Sequence, residues 1–206
     1  WEATQLNNPY TEDEGSRSVL YESFSERPKH LEPAVAYSSN EYAIIGQIYE
    51  PPFQYHYLKR PYQLVPLTAS KMPDIHYLNA QGEPLAQGTK DSDIAFTDYL
   101  INIKPKAVYQ PHPALAKNTA GDYLYHQLSP AQIEPLHSLT DFKETGSREL
   151  TADDYVYQIK RLAYPKLQSP IAELMKNYIV GFDDFAKQVA NQPKKALKNQ
   201  PITGVQ

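Results

Sequence analysis

Apolar and polar residues alternate most cleanly over residues 97 to 104, TDYLINIK. There Thr97, Tyr99, Ile101 and Ile103 point one way, and Asp98, Asn102 and Lys104 the other. Alternation with period two marks a strand, because successive side chains leave opposite faces. Shorter strands are expected over 18–23 (SVLYES) and over FQYHY, where Phe53, Tyr55 and Tyr57 share a side. The segment DIHYLNAQG is expected to close in a turn at Gln81-Gly82.

Helical spacing appears in four other places. Ser38-Ser39-Asn40-Glu41 has the spacing of a capping box, in which a hydroxyl and a carboxylate satisfy the open amides of a first turn. Tyr42, Ile45, Ile48 and Tyr49 then fall on one face, and Pro51-Pro52 is expected to end the helix. The clearest start is RELTADDYVYQIKRLAYP. Thr151 is its N-cap, and Asp153 and Asp154 sit in the first turn, where the helix dipole favours negative charge. Val156, Ile159, Leu162 and Ala163 form its buried stripe, and Pro165 stops it. Ser169-Pro170 is expected to open a third helix with an apolar face of Ile171, Leu174, Met175, Tyr178 and Ile179, ending near Gly181. FDDFAKQVA reads as a fourth. Residues 1–17 read as an irregular arm, 110–147 as loop, and 191–206 as a linker.

Composition narrows the function classes. The chain has 206 residues, 41% of them hydrophobic and 21% charged, which suits a folded domain or two small ones. Eighteen prolines predict many fixed turns. Seventeen tyrosines suit half-wet cores and binding surfaces alike, since each ring carries a polar tip. The formal net charge is −4, and the densest basic run, Lys194, Lys195 and Lys198, lies in the polar tail. Nucleic acid is therefore not an expected partner, because binding to phosphates needs clustered cations. Without cysteine there is no disulfide, thiolate metal site or thiol nucleophile. No run reaches the roughly 18 apolar residues of a membrane span.

No catalytic motif stands out. The sequence holds no P-loop, no dinucleotide glycine turn, no His-Glu-x-x-His and no Gly-x-Ser-x-Gly. Asp153-Asp154 reads as helix capping rather than as paired acids. The six histidines have no local metal-ligand spacing, and His112, between prolines, reads as a turn residue. No catalytic residue, metal ligand or cofactor is assigned. The stretch IYEPPFQYHYLKRPYQL (48–64) could stack on a sugar or a base, with Lys59 or Arg60 adding charge. Its plainer reading is a helix end and a strand whose rings pack inward.

Several of these segments, in order, resemble the N-terminal part of the family-5 extracellular solute-binding proteins of peptide ABC transporters. HLEPAVAYSSNEYAIIGQIYEPPFQY is similar to the family's opening turn, helix and Tyr-Glu step, with Glu32 standing where an aspartate is usual. LVPLTA (64–69), YLINIKPKAVYQPHP and RELTADDYVYQIKRLAYP resemble three later motifs, the last being the most specific. Lys106-Ala107 stands where a turn glycine is usual, and 114–147 resembles an insertion.

The resemblance implies an α/β chain (an α+β mixed sheet with helices) that is an N-terminal fragment of a type II periplasmic-binding-protein fold. An opening strand and helix of lobe one (18–49) would precede a small subdomain (50–190), and 191–206 would return to lobe one. It implies a non-enzymatic protein that captures a peptide or similar small solute between two lobes and delivers it to a membrane permease. The implied location is periplasmic or extracellular; a signal peptide or lipid anchor ahead of Trp1 is left open. A monomer is expected. Ser25, Glu26 and Arg27, in the loop after the first strand, are the expected ligand contacts, since ligands sit beyond the carboxyl ends of strands in open α/β sheets. Ser38 and Ser39 could offer amides to an anionic group. Tyr49 and Phe53 are expected to be buried where the subdomain meets lobe one. A carbohydrate-binding module or hydrolase on the same scaffold is the alternative.

Overall fold

The computed structural model describes residues 23–206. The expected strand 18–23 and the arm 1–17 therefore lie outside the described residues, apart from Ser23. The described residues form short helices and two small antiparallel sheets of two strands each.

The first helix, α1 (Ser39–Ile45), begins at the expected capping box. It ends sooner than its apolar pattern predicts. The chain leaves the helix at Gly46, and the Gln47 and Ile48 amides bond three residues back, to Ile44 and Ile45, instead of four. Glycine is the poorest ordinary helix former, so the break comes there and not at Pro51-Pro52. As a result only Ile45 of the expected face is buried; Tyr42, Ile48 and Tyr49 stay exposed.

Strands β1 (Phe53–Tyr55) and β2 (Leu64–Pro66) form a hairpin in which Phe53 faces Pro66 and Tyr55 faces Leu64. Its root is well tied. The Leu67 and Ala69 amides donate to the Pro52 carbonyl at 2.9 and 3.1 Å, and Thr68 and Ala69 are buried. Its tip is open: Tyr55, Tyr57, Leu58 and Tyr62 are all largely exposed. The inward packing expected of these rings does not occur. A two-stranded hairpin has no second layer to bury them, and no described element covers the tip. Tyr49 is 52% exposed and Phe53 only partly buried, so the expected burial of this pair also fails.

Strands β3 (Asp74–Leu78) and β4 (Phe96–Leu100) pair with Ile75 opposite Tyr99 and Tyr77 opposite Thr97. The alternation expected over 97–104 continues past β4 as irregular pairing, with the Lys104 amide donating to the Thr68 carbonyl at 2.8 Å. Asn79 and Gly82 make the expected turn.

Residues 110–147 are mostly irregular, as expected, but they form a closed excursion. His112 and Gly146 exchange two backbone hydrogen bonds of 2.9 and 3.1 Å across its neck. A side chain at 146 would strike the Leu115 carbonyl oxygen at 2.2 Å, so the neck closes only around glycine. One short helix, α2 (Pro130–Ile133), lies inside it. His112 serves its turn, accepting from the Ala114 amide at 3.0 Å.

Helix α3 (Ala152–Leu162) starts after the expected cap Thr151; of its expected stripe Leu162 and Ala163 are buried, while Val156 and Ile159 are only partly so. Helix α4 (Ala172–Lys176) begins two residues after Pro170, and Leu174 and Tyr178 of its expected face are exposed. Helix α5 (Phe182–Val189) buries Phe182, Phe185 and Val189. The tail corrects the linker reading. Lys194–Asn199 winds into a 3-10 turn, and Leu197 and Ile202 join the core formed by α3 and α5. Their spacing is too sparse for any sequence period to show it. Gly204 lets the tail pass against Val180, whose carbonyl accepts its amide at 2.9 Å.

Candidate ligand-binding cleft

Glu41 organises the region around α1. Its carboxylate is 3% exposed and takes four backbone amides: Lys29 (3.1 Å) and His30 (2.7 Å) on one oxygen, Tyr37 and Ser38 (both 3.0 Å) on the other. The amides of Tyr37 and Ser38, then the Ser38 hydroxyl and the His30 amide, hold its pKa at about 2 against the pull of burial. The same residue that caps the helix therefore fastens the 29–30 loop to it. Asn40 adds a second tie, donating to the Glu26 carbonyl at 3.0 Å.

Glu32 anchors the other side of this loop. It accepts from the Ala34 amide at 3.0 Å and pairs with Arg161 of α3. Burial raises its pKa, but the Ala34 amide and the Arg161 guanidinium outweigh that and leave it lowered. The Leu-Glu-Pro turn is thus a polar clamp between the loop and the helical core.

Between these ties lies an open cleft of about 430 Å³. Glu26, Arg27, Lys29 and His30 line it from the loop; Tyr37, Ser38 and Asn40 from the start of α1; Leu167, Gln168 and Pro170 from the turn after α3. Gln168 holds a left-handed backbone, φ 52°, which costs a non-glycine residue conformational energy. Among the described residues neither Arg27 nor Lys29 has an ion-pair partner.

Of the expected contacts, Glu26, Arg27 and Ser38 line this cleft together; Ser25 and Ser39 are exposed and do not. Lys29, His30, Asn40 and the Leu167–Pro170 turn were not foreseen. Glu41 was legible as a capping residue, but the amides of 29 and 30 that it accepts from are twelve and eleven positions away. A second cleft, about 570 Å³, separates β4 from the α4–α5 junction and is lined by Phe96, Tyr99, Tyr178 and Asp184 among others. None of the expected ligand contacts lines it.

The carboxylates whose pKa values move all move downward. Glu32 and Glu41 do so here; Asp141 does so through the His137 and Ser138 amides, and Asp183 through Lys187. Asp154 is raised by burial, yet the Arg148 guanidinium and the Thr151 amide bring it below its ordinary value. Each is fixed in its charged form by a structural donor, the opposite of what a general acid needs near neutrality. Asp154 closes the capping box with Thr151 and pairs with Arg148, and Asp153 lies in the same first turn. Among the described residues no group of three His, Asp or Glu side chains converges as a metal site. No family model, curated protein or solved structure matches the chain.

Proposed function

We propose that the chain belongs to the substrate-binding component of a peptide ABC transporter, holding part of a ligand cleft outside the membrane and passing a small solute to a permease. The observation that carries this reading is the cleft itself. Its rim offers charges of both signs, Glu26 against Arg27 and Lys29, over a turn held rigid by Glu41. A peptide presents both charges and a polar main chain, and an open, hydrated cleft tolerates varied side chains. The resemblance of the ordered motifs to family-5 solute-binding proteins supports the same reading, as do the exposed Tyr42 of α1 and Ile48 and Tyr49 just after it, which the rest of a two-lobed protein would cover. On this reading the finer fold is the first lobe of a type II periplasmic-binding protein, closing on its ligand by a hinge.

Calorimetric titration of the whole protein carrying these residues, with short peptides and with oligosaccharides, tests it. Peptides are expected to bind without being consumed, and Arg27→Ala to weaken them by about tenfold, as expected for one lost charge-assisted hydrogen bond. Binding of oligosaccharides alone, or release of cleaved product, overturns it.

A further inference from the structure

The rings and cations of residues 53–64 are left unused by the cleft. They stand at the tip of the β1–β2 hairpin, between His56, whose amide donates to the Gln63 carbonyl at 2.8 Å, and the return strand. Tyr57 is 88% and Leu58 77% exposed, more than most large apolar side chains of the described chain. Arg60 is fixed among them. Its guanidinium donates to the Lys59 carbonyl at 2.9 Å and lies 4.4 Å from the centre of the Tyr62 ring, which meets Tyr55 edge-on at 5.9 Å. Between β1 and β2 the charged residues are Lys59 and Arg60, with no Asp or Glu beside them, in a chain of net charge −4.

We propose that this tip is a reversible contact site for an anionic lipid surface. The side chains of the tip are largely exposed, so they suit a soft interface better than a preformed pocket. Leu58 supplies an apolar side chain to enter the acyl boundary. Tyrosine rings sit favourably at headgroup depth, where one end is apolar and the other wet. Lys59 and Arg60 would meet the lipid phosphates, each worth about a fivefold gain in partition near an anionic surface. One such loop gives weak binding, in the range of a single lipid anchor and far from permanent insertion. The proposal stands apart from the cleft and does not depend on what the cleft binds.

Sedimentation with protein-free vesicles tests it, comparing phosphatidylglycerol–phosphatidylcholine mixtures with phosphatidylcholine alone. The acidic chain is expected to bind the anionic vesicles and to lose that binding in high salt. Lys59→Gln with Arg60→Gln should weaken it about thirtyfold, and Leu58→Ser about tenfold, with circular dichroism unchanged. A Leu58→Trp variant should show a blue-shifted emission on binding, since position 58 enters the apolar layer. Equal binding to both vesicle types overturns the proposal. So does binding that survives the tip substitutions, or an unshifted emission from Trp at position 58. Binding to native membranes but not to protein-free vesicles overturns it in favour of a protein partner.

Discussion

The two halves of the described chain solve the burial problem differently. From α3 onward, short helices and the tail close on one another, and Phe185, Val189 and Leu197 are sealed from solvent. From β1 to β4 each strand pairs along one edge only, and all five residues of β4 remain exposed. Helix faces that meet can bury side chains within a few turns, whereas a two-stranded sheet needs a second layer. The β half therefore keeps its shape through backbone pairing and polar pins, and turns its tyrosines outward. Exposed apolar surface on this scale is contact capacity. The helical half holds the sealed core, and the β half leaves much of its apolar surface exposed.

The largest effect is expected in the helical core. Phe185→Ala removes a side chain that is 2% exposed, and is expected to cost about 3–5 kcal/mol in urea unfolding, transfer and cavity effects together. A cost below about 1 kcal/mol, the range of ordinary surface changes, would mean that this half has no consolidated core.

Next comes Glu41, which joins the cleft loop to α1. Its pKa is depressed to about 2 by the Tyr37 and Ser38 amides first. A depressed carboxylate stabilises the fold fully above its ordinary unfolded value, and that contribution drains away as pH falls toward the folded value. Urea midpoints should therefore hold down to about pH 4.5 and fall between there and pH 2. Glu41→Gln should lower the midpoint at neutral pH and flatten the acid limb. An unchanged limb in that variant would assign the acid sensitivity to other carboxylates, of which Asp154 and Glu32 are the first to examine.

A smaller effect is expected where the two halves meet. The Tyr155 hydroxyl of α3 donates to the Glu50 carbonyl at 2.9 Å and lies 2.5 Å from the Thr68 hydroxyl at the hairpin root. Burial comes first among the causes that raise the Tyr155 pKa, so the phenol stays protonated and available as a donor. Tyr155→Phe keeps the ring and removes this pin. The expected cost is about 0.5–1.5 kcal/mol, one net hydrogen bond, because the buried Thr68 hydroxyl keeps the Pro51 carbonyl as a partner. Faster hydrogen exchange at the Leu67 and Ala69 amides should accompany it, which a loss confined to α3 would not produce.

Much of the helical half was legible. The Thr151 cap, the acidic first turn and the Leu162–Ala163 stripe are local signals, and local signals survive folding. The tail was not legible, since Leu197 and Ile202 are lone apolar residues in a polar run and gain their burial from α3 and α5. The hairpins were half legible. Alternation placed β1 and β4, but alternation says only that a strand has two faces, not that either is covered. For the same reason the rings of 53–64 read as inward and stand outward. In the cleft, Glu26, Arg27 and Ser38 followed from position in the chain, whereas the Glu41 knot depends on a loop returning to a helix cap, which no spacing rule encodes.

The smallest expected effect is also the most telling about the β half. Tyr57 and Leu58 contribute almost no buried surface within the described residues. Truncating them together, Tyr57→Ser with Leu58→Ser, should leave the urea midpoint within about 0.5 kcal/mol of the parent, the ordinary range for surface sites. An aromatic pair near Tyr55 and Tyr62 survives this change, since neither of those rings is altered. A loss of 2 kcal/mol or more, on the order of a buried apolar side chain, would mean that the tip is covered in solution by another part of the protein. Fold and tip would then be coupled, and these rings would belong to the core after all. Unchanged stability together with lost vesicle binding separates the two roles: residues kept outward for contact, on a hairpin whose shape is set at its root.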